Sequence, residues 1–442
     1  MYKKIILTLV LALLMLVGKG QEVKKMSLQQ AIDYALEHNP DVVNAKINEE
    51  ISDGRVSQTI ATGMPQINGG IDLSNNFELP TSFLPGEIIG IPGEDVPVQF
   101  GTRYSGSATL SLTQMVFDGS FFVGLEGAKT YKQLSTKELV KTKIDIAEIV
   151  AKSYYAVLVS EFRLELIEKN YGRLDTLLNE TTEMYKSGFA EKIDVSRSKV
   201  QFNNISVQRI NGQKSYEITK ANLSYQLGLP VTEQLDLTDE LSAAMFEDDG
   251  TEAFSYTDRI EYSILQTNQE LAYLDKKLNN VKYMPSLDLY ATVGANLGTG
   301  VTSNIFDITN EWYNFGFIGL RMKIPVFDGL QKHYINQQKK LRITQIENNF
   351  TQMERSMDLQ VRDAKVKLDN SIAILNSQKE NMDISKEVYD VTKEKYQEGI
   401  GSNLEVINAD ADYKEAQTNF FVALYNALIS KVEYKKSIGK LL

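Results

Sequence analysis

Catalysis needs groups that attack, titrate or ligate, and this chain is short of the commonest ones. It has no cysteine and only two histidines in 442 residues. Thiolate chemistry and a disulfide frame are therefore absent. His38 and His333 stand far apart in sequence, which speaks against a His-based metal site or triad. No nucleophile–base pair, phosphate loop or metal cluster is evident, so the expectation is no catalysis, no metal and no cofactor. The carboxylates worth singling out are Asp194 and Glu405. Each follows a glycine turn, at Gly188 and at Gly399, and stands near the start of a helix. A carboxylate there is favoured by the helix dipole by about 0.3–1 kcal/mol. The formal charge of −11 and pI near 5.0 argue against nucleic acid as a partner. They are compatible with an acidic aqueous passage.

The elements that must carry these residues are organised around Phe117-Asp118-Gly119, which returns as Phe327-Asp328-Gly329. Each copy closes an alternating apolar/polar run and opens a long stretch without proline, as a strand-to-helix joint would. Before each pair of runs stands a Met-Pro stop, Met64-Pro65 and Met284-Pro285, because proline cannot continue a helix. The period then changes from 3.6 to 2. Strands are expected at about 66–77, 102–117, 286–297 and 312–325. The segment holding Pro80, Pro85, Pro92 and Pro97, four of the chain's nine prolines, reads as a long irregular excursion. From Gln331 to Glu398 there is neither glycine nor proline, enough for a helix of ~100 Å. Tyr185, Gly188 and Gly228 recur as Tyr396, Gly399 and Gly439 at one constant offset. The chain thus reads as two repeats, 21–230 and 257–442, joined at 231–256 by a partly acidic linker or small side layer.

Residues 1–20 read as an export signal: Lys3 and Lys4, an apolar stretch from Ile5 to Val17, then Gly18-Lys19-Gly20. No later segment reads as a transmembrane helix. Strands of about 10–13 residues are long enough to cross a bilayer at a tilt, and their alternation suits lipid on one face and water on the other. Four strands cannot close a barrel, and an open edge in lipid leaves backbone groups unpaired. The barrel must be shared between chains. A helix of ~100 Å needs equally long partners, which suggests a bundle or tube. The structural alternative is a periplasmic coiled-coil adaptor or scaffold without a barrel.

The pattern resembles the TolC-like outer-membrane efflux family over essentially the whole mature chain. The resembling stretches are Leu28 to Pro40 (LQQAIDYALEHNP), the two Met-Pro joints, the two Phe-Asp-Gly joints, and Tyr396 to Val406 (YQEGIGSNLEV). The resemblance implies an α+β membrane protein: a homotrimer with one shared 12-stranded β-barrel, four strands per protomer, continued by a long α-helical barrel, with two internal structural repeats. It implies an outer-membrane position in contact with lipid and extending into the periplasm. It also implies passive export of drugs, metals or proteins. The expected partners are a periplasmic adaptor (membrane fusion) protein and an inner-membrane pump of RND or ABC type. By position, Asp194 and Glu405 match the family's acidic pore sites and Tyr396 its gating tyrosine. Asn408 stands where a second ring carboxylate is often found, and Gly401 where an arginine can lock the closed state. The turns at Ser187, Gly188, Gly399 and Gly401 match the family's adaptor-docking tips.

Overall fold

A computed structural model describes residues 24–88, 90, 93–233, 235–241, 253–299 and 311–442. The export signal at 1–20, the acidic linker residues Glu247, Asp248, Asp249 and Glu252, and most of the second inter-strand loop lie outside the described residues. In chain order the elements are β1 (Lys24–Met26), α1 (Leu28–His38), α2 (Pro40–Thr62), β2 (Gln66–Asn75), β3 (Thr81–Pro85), β4 (Asp95–Gln99) and β5 (Tyr104–Phe117). They continue with α3 (Gly119–Lys186), α4 (Lys192–Leu227), β6 (Leu235–Leu237), α5 (Ile260–Val281), β7 (Ser286–Thr299), β8 (Tyr313–Lys323), α6 (Gln331–Gln397) and α7 (Asn403–Ser437). Among the described residues no helix is long and apolar enough to cross a membrane.

The chain divides into two compact units. One comprises Glu50–Gln133 and Thr267–Ile346. Its centre is a four-stranded antiparallel sheet in the order β2-β5-β7-β8. The register aligns Ile67, Ile71 and Leu73 with Leu112, Ala108 and Gly106. Those residues in turn align with Ala291, Ala295 and Leu297, and Leu289 and Ala291 align with Leu320 and Ile318. Period-2 geometry puts all of them on one face, and that face is mostly apolar, with Asn75, Gln114 and Asn314 among its polar members. The other face carries Asn68, Asp72, Ser105, Ser107, Thr109, Ser111, Thr292 and Asn296. Much of the apolar face is bare within the protomer, with Ile71 77% and Ile318 72% exposed, although Leu297 is buried.

The Phe-Asp-Gly joints have a physical cause. Asp118 and Asp328 cap the following helices: Ser120 N donates to Asp118 Oδ1 at 2.7 Å, and Lys332 N donates to Asp328 Oδ2 at 3.2 Å. The glycines do different work. Gly329 has φ 67°, a left-handed conformation that glycine adopts without strain. Gly119 instead lets a helix approach closely, since a Cβ there would sit 3.1 Å from Val281 Cβ.

The proline-rich excursion is not irregular. Residues 81–99 contain an antiparallel hairpin, β3 on β4, with Leu84 opposite Val96 and Phe83 opposite Pro97. Proline removes a ladder donor but is tolerated at an edge. In a two-stranded ribbon both strands are edges, so counting prolines misjudged this segment.

The other unit holds the described residues up to Glu49, Leu134–Gln266 and Glu347–Leu442. Ser27 caps α1 with Gln30 in a capping box. The core around α1, α3 and α4 is packed from Ala35, Val42, Ala147, Val150, Val157, Leu223 and Leu227, all fully buried. Beside it β1 pairs in parallel with β6, a contact that sequence reading did not foresee. Asp239 ties this corner together: its Oδ2 accepts from Leu28 N at 2.7 Å and lies 2.9 Å from the Tyr154 hydroxyl.

Candidate functional site at the helical turns

The α3–α4 and α6–α7 turns are built alike. Gly188 and Gly399 have φ 81° and 75°. Phe189 N donates to Met184 O at 2.8 Å, and Ile400 N donates to Lys395 O at 3.0 Å. Gly188 N and Gly399 N close the inner bonds to Tyr185 O and Tyr396 O, both at 3.1 Å. This is the Schellman closure, in which glycine supplies the left-handed residue and the next residue usually packs back on the helix. Here it does not pack. Phe189 and Ile400 are 83% and 81% exposed, so each turn presents an apolar side chain with nothing against it. Ser187 is exposed beside Gly188. Gly401 has no positive φ, and a Cβ on it would stand 3.2 Å from Tyr396 N.

Asp194 and Glu405 occupy equivalent places. Both are the third residue of their helix, and both accept from the backbone N–H at the cap: Glu191 N to Asp194 Oδ2 at 3.2 Å, and Ser402 N to Glu405 Oε2 at 3.4 Å. Asp194 also pairs with Arg197 at 3.6 Å. Glu405 and Asn408, one turn apart, are exposed. The two carboxylates therefore differ: among the described residues Asp194 has a cation beside it, whereas Glu405 is held only by its cap.

Tyr396 sits elsewhere. It is 6% exposed, in a core with Leu177, Ile205, Tyr389, Val406 and Tyr413. Its hydroxyl finds no hydrogen bond within the protomer.

Next to this core lies a cluster that sequence reading missed. Asp410, 1% exposed, accepts from Arg173 Nη2 at 2.6 Å and has Lys414 Nζ 2.7 Å from its other oxygen. The Arg173 guanidinium covers the Tyr389 ring at 4.0 Å and the Tyr413 ring at 5.2 Å. Burial pushes the Tyr389 hydroxyl up to about 12, against the lowering effect of Arg173. Asp410 and Lys414 at i and i+4 are readable as a helical pair. Arg173, some 237 residues away, is not. Below the cluster Asn403 reaches Ser198 at 3.4 Å, and above it Asn170 donates to Gln417 at 2.8 Å. A polar ladder thus links α7 to α3 and α4.

These groups position and neutralise charge. Among the described residues, no group of three or more His, Cys, Asp or Glu is placed to hold a metal. The arrangement is a set of rods with charged, apolar-tipped ends.

Known proteins share this fold. The family model described as outer membrane efflux protein matches residues 31–229 and 266–440. The outer membrane protein TolC of Vibrio cholerae is 20% identical over 420 residues, 94% of this chain and 91% of that relative. Among solved structures, the outer membrane protein VceC of Vibrio cholerae aligns with a TM-score of 0.69 at 16% identity, over 93% of this chain and 96% of that one. The Campylobacter jejuni CmeC outer membrane channel aligns with a TM-score of 0.68 at 15% identity, over 93% and 85%. A membrane protein from Pseudomonas aeruginosa reaches 0.71 at 14% identity, over 93% of each chain. The structural likeness shows the channel fold, and the family model covers most of the chain. The chain belongs to the outer membrane efflux protein family, and its place is the outer membrane.

Proposed function

We propose that the protein is the passive exit duct of a tripartite efflux or type I secretion system, with no chemistry of its own. Cargo would be delivered by an inner-membrane pump of RND or ABC type through a periplasmic adaptor protein. The observation that carries this reading is the four-stranded sheet. One face is mostly apolar, the other mostly polar, and among the described residues both β2 and β8 are unpaired edges. In lipid such edges must find partners. Three copies joined β8 to β2 give 12 strands and leave room for a lumen. The apolar faces then meet lipid and the polar faces water.

The helices support the same assembly. α4 bears an exposed stripe at seven-residue spacing, Ile193, Val200 and Val207, and α6 bears Leu359 and Val366 with the same spacing. Such stripes are coiled-coil seams, and within one protomer they are uncovered. The matching order of elements, with Gly188 and Gly228 paralleled by Gly399 and Gly439 at positive φ, supports two structural repeats, 21–230 and 257–442, around the 231–256 segment. Phe189 and Ile400 give the turns an apolar surface suited to an adaptor's helical tip. Glu405 is the better placed of the two acids to face a lumen. With no arginine at position 401, the Arg173–Asp410–Lys414 cluster offers a substitute contact between the two helical pairs.

Detergent-solubilised mature protein should be a trimer by native mass spectrometry, and it should resist extraction by carbonate. A monomer released into carbonate without detergent would favour the scaffold reading instead.

A further inference from the structure

We propose that the polar face of the sheet carries a binding strip for planar aromatic anions, that is, arenes bearing a carboxylate or sulfonate. The strip lies in a lumen only if the barrel proposed above closes, so it rests on that reading. On β2 and β5 this face holds serine, threonine, asparagine, glutamine, aspartate and glycine, with Met115 opposite Asp288. β8 breaks the pattern. Phe315 and Phe317 share the face with Tyr290 of β7, opposite Gly294, Thr292 and Gly319 respectively.

The rings lie down over neighbouring strands. A Cβ built on Gly294 would stand 3.0 Å from Phe315 Cζ, and one on Gly319 would stand 2.8 Å from Tyr290 Cζ. A ring seated over glycine turns its π-face away from the sheet. Covering a glycine is reason enough for Tyr290 and Phe315, but not for Phe317. Its ring is not among the atoms nearest any described glycine, and it is 53% exposed on a face that water should line. The three rings form one run: Tyr290 and Phe317 edge to face at 6.0 Å, Phe315 and Phe317 stacked at 6.5 Å.

One end of the run is cationic. The Arg321 guanidinium lies 4.7 Å from the Tyr290 centroid. Asp288 is its partner in register, yet no ion pair joins them among the described residues. Lys323 follows on the same face. Among the described strand residues the fixed charges there are thus Asp72, Asp288, Arg321 and Lys323, and the two cations lie with Asp288 at the same end as Tyr290. A flat ring would stack along the phenylalanines while its anionic group met Arg321.

The test is current blockade in planar bilayers, with probe added on the barrel side. The probes are 2-naphthalenesulfonate, hexanesulfonate of the same charge, and neutral 2-naphthol. Wild-type channels should be half-blocked by the naphthalenesulfonate at a concentration at least about threefold below that of hexanesulfonate. Phe317→Leu keeps the apolar volume and loses the π-face, and should raise that concentration roughly two- to tenfold. Arg321→Gln should weaken block by the sulfonate and leave 2-naphthol unchanged. Unblocked conductance of each variant reports a folded barrel. Equal block by both sulfonates, or block indifferent to both substitutions in conducting channels, overturns the strip and leaves the duct standing. A wild-type protein that stays monomeric in detergent removes the lumen, and the strip falls with it.

Discussion

Asp410 is the most consequential single carboxylate in the helical unit. Its side chain is 1% exposed, with Arg173 at 2.6 Å and Lys414 at 2.7 Å. Asp410→Asn leaves a guanidinium and an ammonium facing a neutral amide in a buried site. Removing one partner of a buried pair costs about 3–5 kcal/mol. Arg173→Gln should cost less, about 1.5–3 kcal/mol, because Lys414 remains to neutralise the acid. In the double variant the Arg173–Asp410 bond is already gone, so the second substitution should cost about 1.5–3 kcal/mol less than it does alone. Native-state hydrogen exchange of amides in 170–181 and 403–417 reads the local opening free energy. About 3 kcal/mol appears there as roughly a hundredfold faster exchange. Exchange should change little around the Ala35–Val150 core. Unchanged rates in both segments, or strict additivity of the two substitutions, would refute the argument that this contact holds α7 to α3.

Other outcomes follow from geometry. Gly228→Ala and Gly439→Ala should lower the unfolding midpoint well beyond Gly188→Ala and Gly399→Ala. All four have positive φ, but a Cβ at 228 or 439 stands 2.7 or 2.5 Å from a carbonyl oxygen, whereas the turn glycines have nothing within 4 Å. Equal midpoint losses would count against the close-approach reading. Glu148 lies 2.8 Å from Lys152 and 2.6 Å from Lys436. Burial works to raise its pKa, but hydrogen bonds from the two lysines outweigh it and hold it below 4.5. A depressed carboxylate contributes stability above its ordinary range and loses it as pH falls through the folded pKa. Glu148→Gln should therefore lower the midpoint at pH 7, by a margin that narrows as pH falls below the ordinary carboxylate range. A gap of constant size from pH 7 to pH 3 would contradict this. Glu405→Gln should weaken cation preference in bilayer conductance, and an unchanged reversal potential would remove Glu405 from the lumen.

What the sequence disclosed, and what it hid, divides along the range of the interactions involved. The four long strands fall within a few residues of their expected bounds because alternation over ten or more residues is a local signal. The Met-Pro stops and Asp caps are local too, and α6 ends at Gln397, one residue from its expected end. The β3–β4 hairpin was hidden because proline counts as a breaker except at an edge, and edge status is a property of the sheet. β1 and β6, three residues each, are too short to show any period. Their pairing joins residues more than 200 positions apart. The tip residues show the same division. Asp194 and Glu405 were visible as N-terminal acids, but the Arg197 beside Asp194 makes them unequal. Tyr396 was visible as a tyrosine before a turn, and only the packing of Val406 and Tyr413 puts it in the core.

The distribution of unmet hydrogen bonds bears on where such a duct could change shape. Among the described residues, the buried side-chain atoms without a hydrogen bond are, apart from Arg103 Nε, confined to Arg173, Tyr389, Tyr396, Asn403, Asp410 and Gln417. All of these belong to one stretch of the helical unit. Each buried donor or acceptor left unmade costs about 1–3 kcal/mol, though for Asp410 the nearby Lys414 ammonium offsets part of this. The core of α1, α3 and α4, packed mainly from alanine, valine, leucine and isoleucine with the hydrogen-bonded Tyr154, carries no such cost. A sequence under selection for rigidity alone would fill this stretch with leucine, as it fills that core. Under the proposed reading the polar filling has a use. Parting α6 and α7 from α3 and α4 there would hydrate the two tyrosine hydroxyls, the Gln417 amide and the Arg173 Nε. Water would then return much of what the broken Arg173–Asp410 contact gives up. The same motion around the Ala35–Val150 core would expose apolar surface with nothing to offset it, at roughly 25 cal/mol per Å². The chain thus places its least satisfied contacts near the Gly188 and Gly399 turns, and its best-packed ones around β1 and β6.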